Sequence, residues 1–377
     1  MMNVKDIVSR FEYIEGQRDN WNNHYQELAD YMLPRKADVV KKRSRGEKRM
    51  ELIFDGTALQ AVDLLSSSLH GMLTSGATPW FHLTMKDEEL GRDEEVQRWL
   101  EDSSQRMMRA FTMSNFETEV HEMYVDLVVF GTGCMFVEMD EKTLRFSTRH
   151  ISEFYVTEDQ YGIVDTVFRK YELPARQAVQ RFGIDNVGNF IARTFEKKPD
   201  ENVEILHVVM PRKDRDPTKQ DNKNMPFASM YICLETKMIL AESGFQELPY
   251  VVPRFLKATG EVMGRSPAMV ALPDVKMINL MSKTIIQAAQ KMIDPPLLVP
   301  DDGFLLPIRT QPGGLNFYRS GSRDTITPLQ TGANIPIGLN MEEQRRTAIR
   351  SAFFVDQLLS GSTPNMTATE VMQRQEE

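Results

Sequence analysis

Residues 274–296 run DVKMINLMSKTIIQAAQKMIDPP, a pattern that sets the architecture of the last third of the chain. Wound at about 100° per residue, the stretch sets Lys276, Asn279, Lys283, Gln287 and Gln290 on one stripe, with Lys291 at its edge. Val275, Ile278, Met281, Ile285, Ala289 and Met292 take the other side. That spacing predicts an amphipathic helix from Asp274 to Ile293, about 30 Å long at a rise of about 1.5 Å per residue. Asp294-Pro295-Pro296 halts it, because proline lacks an N–H and disfavours helix in the residue before it. The stretch 297–339 follows, carrying Gly303, Gly313, Gly314, Gly321, Gly332 and Gly338 among several prolines. Helix connections in compact bundles commonly take about two to eight residues. A connection this long predicts a small subdomain, with short strands at 304–306, 315–318 and 325–327.

A second helix is expected to open at Asn340, which forms a capping box with Glu343, and to fade near Leu359. Glu342, Arg346 and Arg350 fall along one exposed face, the first pair attractive and the second like-charged. Ile349, Ala352, Phe353, Val355 and Leu359 are expected to pack inward. Ser360-Gly361-Ser362-Thr363-Pro364 reads as a loop, and Thr367-x-x-Glu370 starts a further helix just before Glu377.

Towards the N-terminus, Ile7, Phe11, Ile14, Trp21, Tyr25, Leu28 and Met32 predict one helix over residues 3–33, ended by Pro34. The basic run between Arg35 and Arg49 reads as a solvated loop. Helices are expected at 57–73, 93–113 and 115–130, with a strand at 80–84. After Gly131-Thr132-Gly133, strand patterns recur at 134–139, 144–148, 154–157, 162–171, 203–210, 228–234, 237–241 and 249–257. Helices at 174–182 and 187–195 interrupt them. Runs of strands without regular strand–helix alternation predict an α+β fold of antiparallel character.

The 377 residues are ample for a large core. No apolar run approaches the roughly 20 residues of a membrane span. Cys134 and Cys233, both in apolar runs, read as buried free thiols. A net charge of −9 argues against wrapping nucleic acid over the whole surface, but not against letting DNA slide past.

The sequence yields no catalytic, cofactor or metal site. Gly131-Thr132-Gly133 lacks the third glycine of a dinucleotide loop and runs from helix into strand, the reverse of the required order. The six histidines stand at no ligand spacing. In Gly264-Arg265-Ser266-Pro267, Ser266 reads as a helix N-cap with Pro267 at the first helical position. Three classes stay open on these residues: a structural conduit, a metal-dependent nuclease with an unrecognised carboxylate cluster, and a generic scaffold.

Across nearly its whole length the chain resembles the portal, or head-to-tail connector, proteins of short-tailed bacteriophages. The resemblance rests on Asp55-Gly56-Thr57-Ala58, Thr78-Pro79-Trp80-Phe81, Phe130-Gly131-Thr132-Gly133 and Gly260-Glu261-x-x-Gly264-Arg265-Ser266-Pro267. It continues through Leu272-Pro273-Asp274-x-Lys276-x-x-Asn279, Asp294-Pro295-Pro296 and Thr367-Ala368-Thr369-Glu370-Val371. It implies a portal fold, α+β, with a helix-rich α/β wing, a two-helix stem and a small α/β clip, assembled as a ring, usually of twelve copies.

On that resemblance residues 1–265 are the wing, 266–294 the first stem helix region, 295–339 the clip, 340–358 the second stem helix and 359–366 the tunnel loop. Residues 367–377 begin a further wing helix, so a fragment of a longer product is expected. Lys276, Lys283, Gln287, Gln290, Arg346 and Arg350 would line a DNA channel. Ser360, Gly361, Ser362, Thr363 and Asn365 would form the tunnel loop, and Asp301, Asp302, Arg309, Arg319 and Arg323 would dock partners at the clip. The implied partners are other copies of the chain, double-stranded DNA bound without sequence preference, the large terminase, a tail adaptor, and the major capsid and scaffolding proteins. The implied location is the capsid vertex of the virion, after assembly in the host cytoplasm, with no membrane and no cofactor.

Overall fold

The computed structural model describes residues 3–44, 46–87, 89–139, 143–219, 221–298, 327–328 and 335–360. The chain opens with α1 (Val4–Gln17), α2 (Asp19–Met32), α3 (Thr57–Leu73), α4 (Glu94–Thr112) and α5 (Phe116–Phe130). Strands and two short helices follow: β1 (Met135–Met139), β2 (Leu144–Thr148), β3 (Phe154–Glu158), β4 (Val164–Pro174), α6 (Ala175–Phe182), α7 (Gly188–Lys197), β5 (Asn202–Pro211), β6 (Phe227–Cys233), β7 (Met238–Phe245) and β8 (Tyr250–Val251). The last third holds α8 (Pro267–Ile293), β9 (Leu297–Leu298), β10 (Thr327–Pro328), α9 (Ile335–Ala352) and α10 (Val355–Ser360).

The expected α+β mixture is present. β3 to β7 form an antiparallel sheet in chain order, and β1 sits between β2 and β8 in a second one. The larger sheet is covered on both faces, which explains why β5 is an almost unbroken apolar run rather than an alternating one. Leu206, Val208 and Met210 face α1, meeting Ile7, Val8 and Phe11. Val203 and Ile205 point the other way, against Ala178, Phe182 and Ile191 of α6 and α7. The largest core joins α2, α3, α5, α8, α9 and α10.

The single helix expected over 3–33 is broken at Arg18, because its two halves serve different cores: α1 packs on the sheet and α2 in the helical body. The Arg18 guanidinium is buried at the joint. It donates to the carbonyls of Phe154 and Ile151 and lies 4.6 Å from the Tyr155 ring. The strand expected at 80–84 is not formed. The Leu83 N–H goes instead to Ser104 Oγ at 2.9 Å, while Trp80 stacks on Phe116. At 249–257 the continuous strand is limited to Tyr250 and Val251, which pair with β1, and beyond it only single bridges form, Arg254 with Thr132 and Leu256 with Arg265.

The basic run is not a free loop either. Lys36 Nζ lies 2.7 Å from Asp126, a carboxylate buried in α5, and 2.9 Å from Glu122. Arg43 reaches Asp30 at 2.9 Å, and Arg49 reaches Asp38 at 2.5 Å. The Lys36 and Arg43 pairs hold the segment against α5 and α2, and the Arg49–Asp38 pair braces the segment internally.

His207 is buried in β5, stacked 4.1 Å from the Tyr231 ring, with Tyr250 and Ser229 hydroxyls on its two ring nitrogens at 2.8 and 3.0 Å. Burial, reinforced by Arg169, Arg181 and Arg149, holds its pKa well below the usual histidine range. The unfolded chain therefore takes up a proton near pH 6.5 that the folded chain refuses. Stability is expected to be complete above that pH and to fall below it by up to about 1.4 kcal/mol per pH unit. Urea unfolding between pH 7.5 and 5.5 measures the slope, and His207→Gln should flatten it. Equal slopes in the two proteins would exclude His207 as the source.

Candidate functional site: the α8–α9 helix pair

The pair begins at a crossing of two glycines. Gly131 caps α5 in the left-handed region, at φ 76°. Its backbone passes so close to that of Gly264 that a Cβ on either residue would collide with the other's carbonyl group. Hydrogen bonds lock the crossing: Gly264 N–H donates to Thr132 Oγ1 at 2.8 Å, and Phe255 N–H to the Gly131 carbonyl at 2.9 Å. Ser266 Oγ donates to the Val129 carbonyl at 2.8 Å and accepts from Met269 N–H at 3.1 Å. It is the N-cap expected from sequence, with Pro267 at the first turn.

α8 starts at this cap rather than at Asp274, and runs through Pro273. An interior proline costs a helix about 3 kcal/mol. Burial of Ala268, Ala271 and Leu272 in the main core offsets that cost and recruits the extra turns. At about 1.5 Å per residue the helix is roughly 40 Å long. α9 likewise starts earlier than expected, at Ile335, so Asn340 lies inside the helix and is not its cap. Gly338 makes the extension possible, since a Cβ there would press on Ile285 Cδ1 at 3.0 Å. The pair separates from α10 at Phe354, which holds a positive φ of 58°.

A polar network fastens both helices to the segment before α3. Asn279, only 3% exposed, accepts the N–H groups of Phe54 and Asp55 at 2.6 and 3.0 Å. Asp55 accepts from Thr57 N–H at 2.9 Å, starting α3, and from Arg346 Nε at 3.0 Å. Glu342, 4% exposed, accepts from Ser282 Oγ at 2.6 Å and from Arg346 at 3.3 Å. Arg345 ties α9 to Asp274 of α8 at 2.8 Å. Burial pushes the Asp55 carboxyl up, but hydrogen bonds from Thr57 and the Arg346 guanidinium outweigh it and hold the group below its usual range.

Two readings of the helix faces are thereby corrected. Asn279 belongs to the buried side, because two backbone donors some 225 residues away in sequence need its carbonyl oxygen. Glu342 is buried rather than on an exposed face, because Ser282 and Arg346 satisfy it there. The outward face of α8 is apolar near the body, at Val270, Met277 and Leu280, and mixed further along, where Lys283, Thr284, Gln287 and Gln290 are exposed beside Ile286, Met292 and Ile293.

The channel residues expected from sequence do not share one environment. Gln287 and Gln290 are exposed, and Lys283 is exposed with its Nζ 5.7 Å from the Phe54 ring. Lys276 binds Glu27 at 2.8 Å, Arg350 lies 3.3 Å from Glu343, and Arg346 is held by the network. Ser360 closes α10. Gly361, Ser362, Thr363 and Asn365 lie outside the described residues, as do Asp301, Asp302, Arg309, Arg319 and Arg323. Within residues 295–339, β9 and β10 pair antiparallel. Sequence reasoning left Asp55 and Asn279 without a role, although both stand in the motifs that carried the resemblance.

Among the described residues no helix is long and apolar enough to cross a membrane, and no group of His, Cys, Asp or Glu is placed to hold a metal ion. Cys134 and Cys233 are buried and free.

A mixed α+β body thus carries a long helix pair, rooted in it by a glycine crossing and a polar clamp. The chain belongs to the bacteriophage head to tail connecting proteins, which it matches over residues 4–377. It is 32% identical over 384 residues to the probable portal protein of Bordetella phage BPP-1, an alignment covering 99% of this chain and 69% of that one. It is 31% identical over 383 residues to the portal protein of Salmonella phage epsilon15, covering 98% and 69%. Its function is that of a phage portal, or head-to-tail connector. Such proteins are structural, sit at the capsid vertex, generally form rings, and dock with capsid, terminase and tail.

Proposed function

We propose that this chain is one subunit of a ring of about twelve copies that conducts double-stranded DNA through its centre during packaging and ejection, without enzymatic activity of its own. On this reading the body up to residue 265 is the wing and α8 and α9 are the stem; the clip, expected at 295–339, is shortened to 295–334 by the start of α9, and the tunnel loop expected at 359–366 begins at the end of α10. The clip, through Asp301, Asp302, Arg309, Arg319 and Arg323, docks the large terminase and later a tail adaptor. ATP hydrolysis belongs to the motor. Major capsid and scaffolding proteins surround the wing, and assembly takes place in the host cytoplasm.

The reading is supported by the exposed apolar residues of α8 near the body and by the sparse cations exposed further along it. Val270, Met277 and Leu280 are exposed near the body, where a ring would set them against the next copy. Closed rings need two different complementary faces on each subunit. Beyond them Lys283, Gln287 and Gln290 are exposed among apolar Ile286, Met292 and Ile293 and offer a lining with few charges. Duplex DNA binds through phosphates and counterion release, so a conduit works best with few cations. Lys276, Arg346 and Arg350 complete the proposed lining with charge already balanced by Glu27, Asp55 and Glu343.

Lys283→Ala is expected to leave rings intact while changing DNA retention. In a duplex-binding assay against salt, its log–log slope should fall by about one for each phosphate contact removed. Rings that bind, package and retain DNA like the wild type would end the assignment of α8 to the lumen.

A further inference from the structure

A cleft of about 1030 Å³ opens between β1–β2, β4, α6 and the 38–43 segment, and no residue of α8 or α9 lines it. Most of its charges are already paired. Lys42 binds Glu172, Lys170 lies 3.2 Å from Glu15, and Arg169 Nε donates to Glu153 at 2.9 Å. Arg149 differs. Among the described residues no carboxylate pairs with its side chain, its Nε is buried without a hydrogen-bond partner, and its guanidinium rests 5.5 Å from the Phe136 ring. The Tyr171 hydroxyl is a second orphan, buried and unpartnered, although Arg169 stacks 4.0 Å from its ring. Burial pushes the Tyr171 pKa up while Arg181, Arg169 and Arg149, which also line the cleft, pull it down. Burial first, and then Arg169, lower the Arg149 pKa, as expected for a cation short of counter-charge.

Buried polar groups nearly always have a partner, and a half-buried cation without one is unfavourable. We propose that this cleft binds a single oxyanion group, phosphate or carboxylate, through donors on Arg149, Arg169 and the Tyr171 hydroxyl, with Arg181 adding charge nearby. The planar fork of arginine suits such a group. Duplex DNA does not suit the cleft, because Glu138, Glu172 and Glu204 also line it and repel a continuous phosphate backbone. Two sources carry the right chemistry: free phosphate, and an acidic side chain inserted by a neighbouring copy of this chain.

The test is thermal unfolding and phosphate titration of the purified full chain, separated by size into monomer and ring, at constant ionic strength. Arg149→Met and Tyr171→Phe serve as variants. Phosphate is expected to raise the melting temperature of the wild-type monomer in a concentration-dependent way, and each variant to weaken its apparent affinity at least about tenfold, the loss of one charge-assisted contact. If the natural anion is free, wild-type rings bind phosphate as well. If a neighbour supplies it, rings do not, and Arg149→Met lowers the ring fraction. An equal response in wild type and Arg149→Met overturns the proposal. So does a wild type indifferent to phosphate in both forms together with a variant that assembles normally.

Discussion

Gly264→Ala is expected to destabilise the protein by about 3 kcal/mol or more, at the upper end of what over-packing does, and to lower the yield of rings. The new Cβ would lie within the van der Waals envelope of the Gly131 carbonyl and 3.0 Å from Arg254 Cβ. Both obstacles are held in place. Gly131 caps α5 and accepts from Phe255 N–H, and the backbone there cannot yield as a flexible side-chain tip would. The strain passes directly into α8, which begins three residues later. Gly71→Ala is the control, since its Cβ meets nothing within 4 Å and the residue sits inside α3. That change should be neutral or stabilise by about 0.5–1 kcal/mol. Urea unfolding of the two variants, with negative-stain imaging of rings, separates a steric crossing from a generic glycine effect. Gly264→Ala at wild-type stability would show that the crossing is not tight in the assembled protein.

Arg346→Met is expected to cost about 2–4 kcal/mol, and the loss should depend on pH. The change leaves two carboxylates, Asp55 and Glu342, inside the root of the helix pair with side chains 8% and 5% exposed. Removing one partner of a buried pair costs about 3–5 kcal/mol, reduced here because the Arg346 side chain is 28% exposed. In the wild type the Asp55 pKa is depressed, so its contribution is complete above the unfolded value of about 3.9 and fades as pH falls through the lower folded value. Without Arg346 its hydrogen bond and charge no longer oppose burial, and the folded pKa rises from its wild-type position, with only the Thr57 bonds left to lower it. The variant should then regain stability relative to wild type as pH falls through the range where its Asp55, and not yet the wild-type one, takes up a proton. A pH-independent deficit in unfolding free energy would remove Asp55 from the explanation. The experiment also separates two roles of Arg346, since a purely lumenal arginine would alter DNA handling without altering stability.

Much of the fold was legible along the chain. Helix ends were marked by local chemistry: Asp93 caps α4 through Glu95 and Val96, and Ser266 caps α8. Strand positions followed short apolar runs bounded by turns. Where expectation failed, distant partners had decided the outcome. Trp80 to Thr84 has strand-like residues but no neighbouring strand, and its Leu83 N–H found a serine on α4. The chain over 3–33 has unbroken helical spacing, yet it bends at Arg18 because its halves meet different cores. The helix expected from Asp274 begins at the Ser266 cap instead, and packing of the turns before Pro273 against the body carries the helix through that proline.

The α+β composition, the two helices around a long excursion and the ordered motifs of the family are all written along the chain. Those are properties of periodicity, capping and residue order, all local to the chain. Only the tertiary structure decided which face of α8 is buried, because Asn279 turns inward for backbone donors at Phe54 and Asp55. Only it brought Phe130-Gly131-Thr132-Gly133 against Gly264-Arg265-Ser266 as one crossing. It alone set Arg346 between Asp55, Glu342 and Glu343. A helix's pattern fixes which residues share a face, whereas the partners folding brings to that face decide which polar groups can be buried and satisfied.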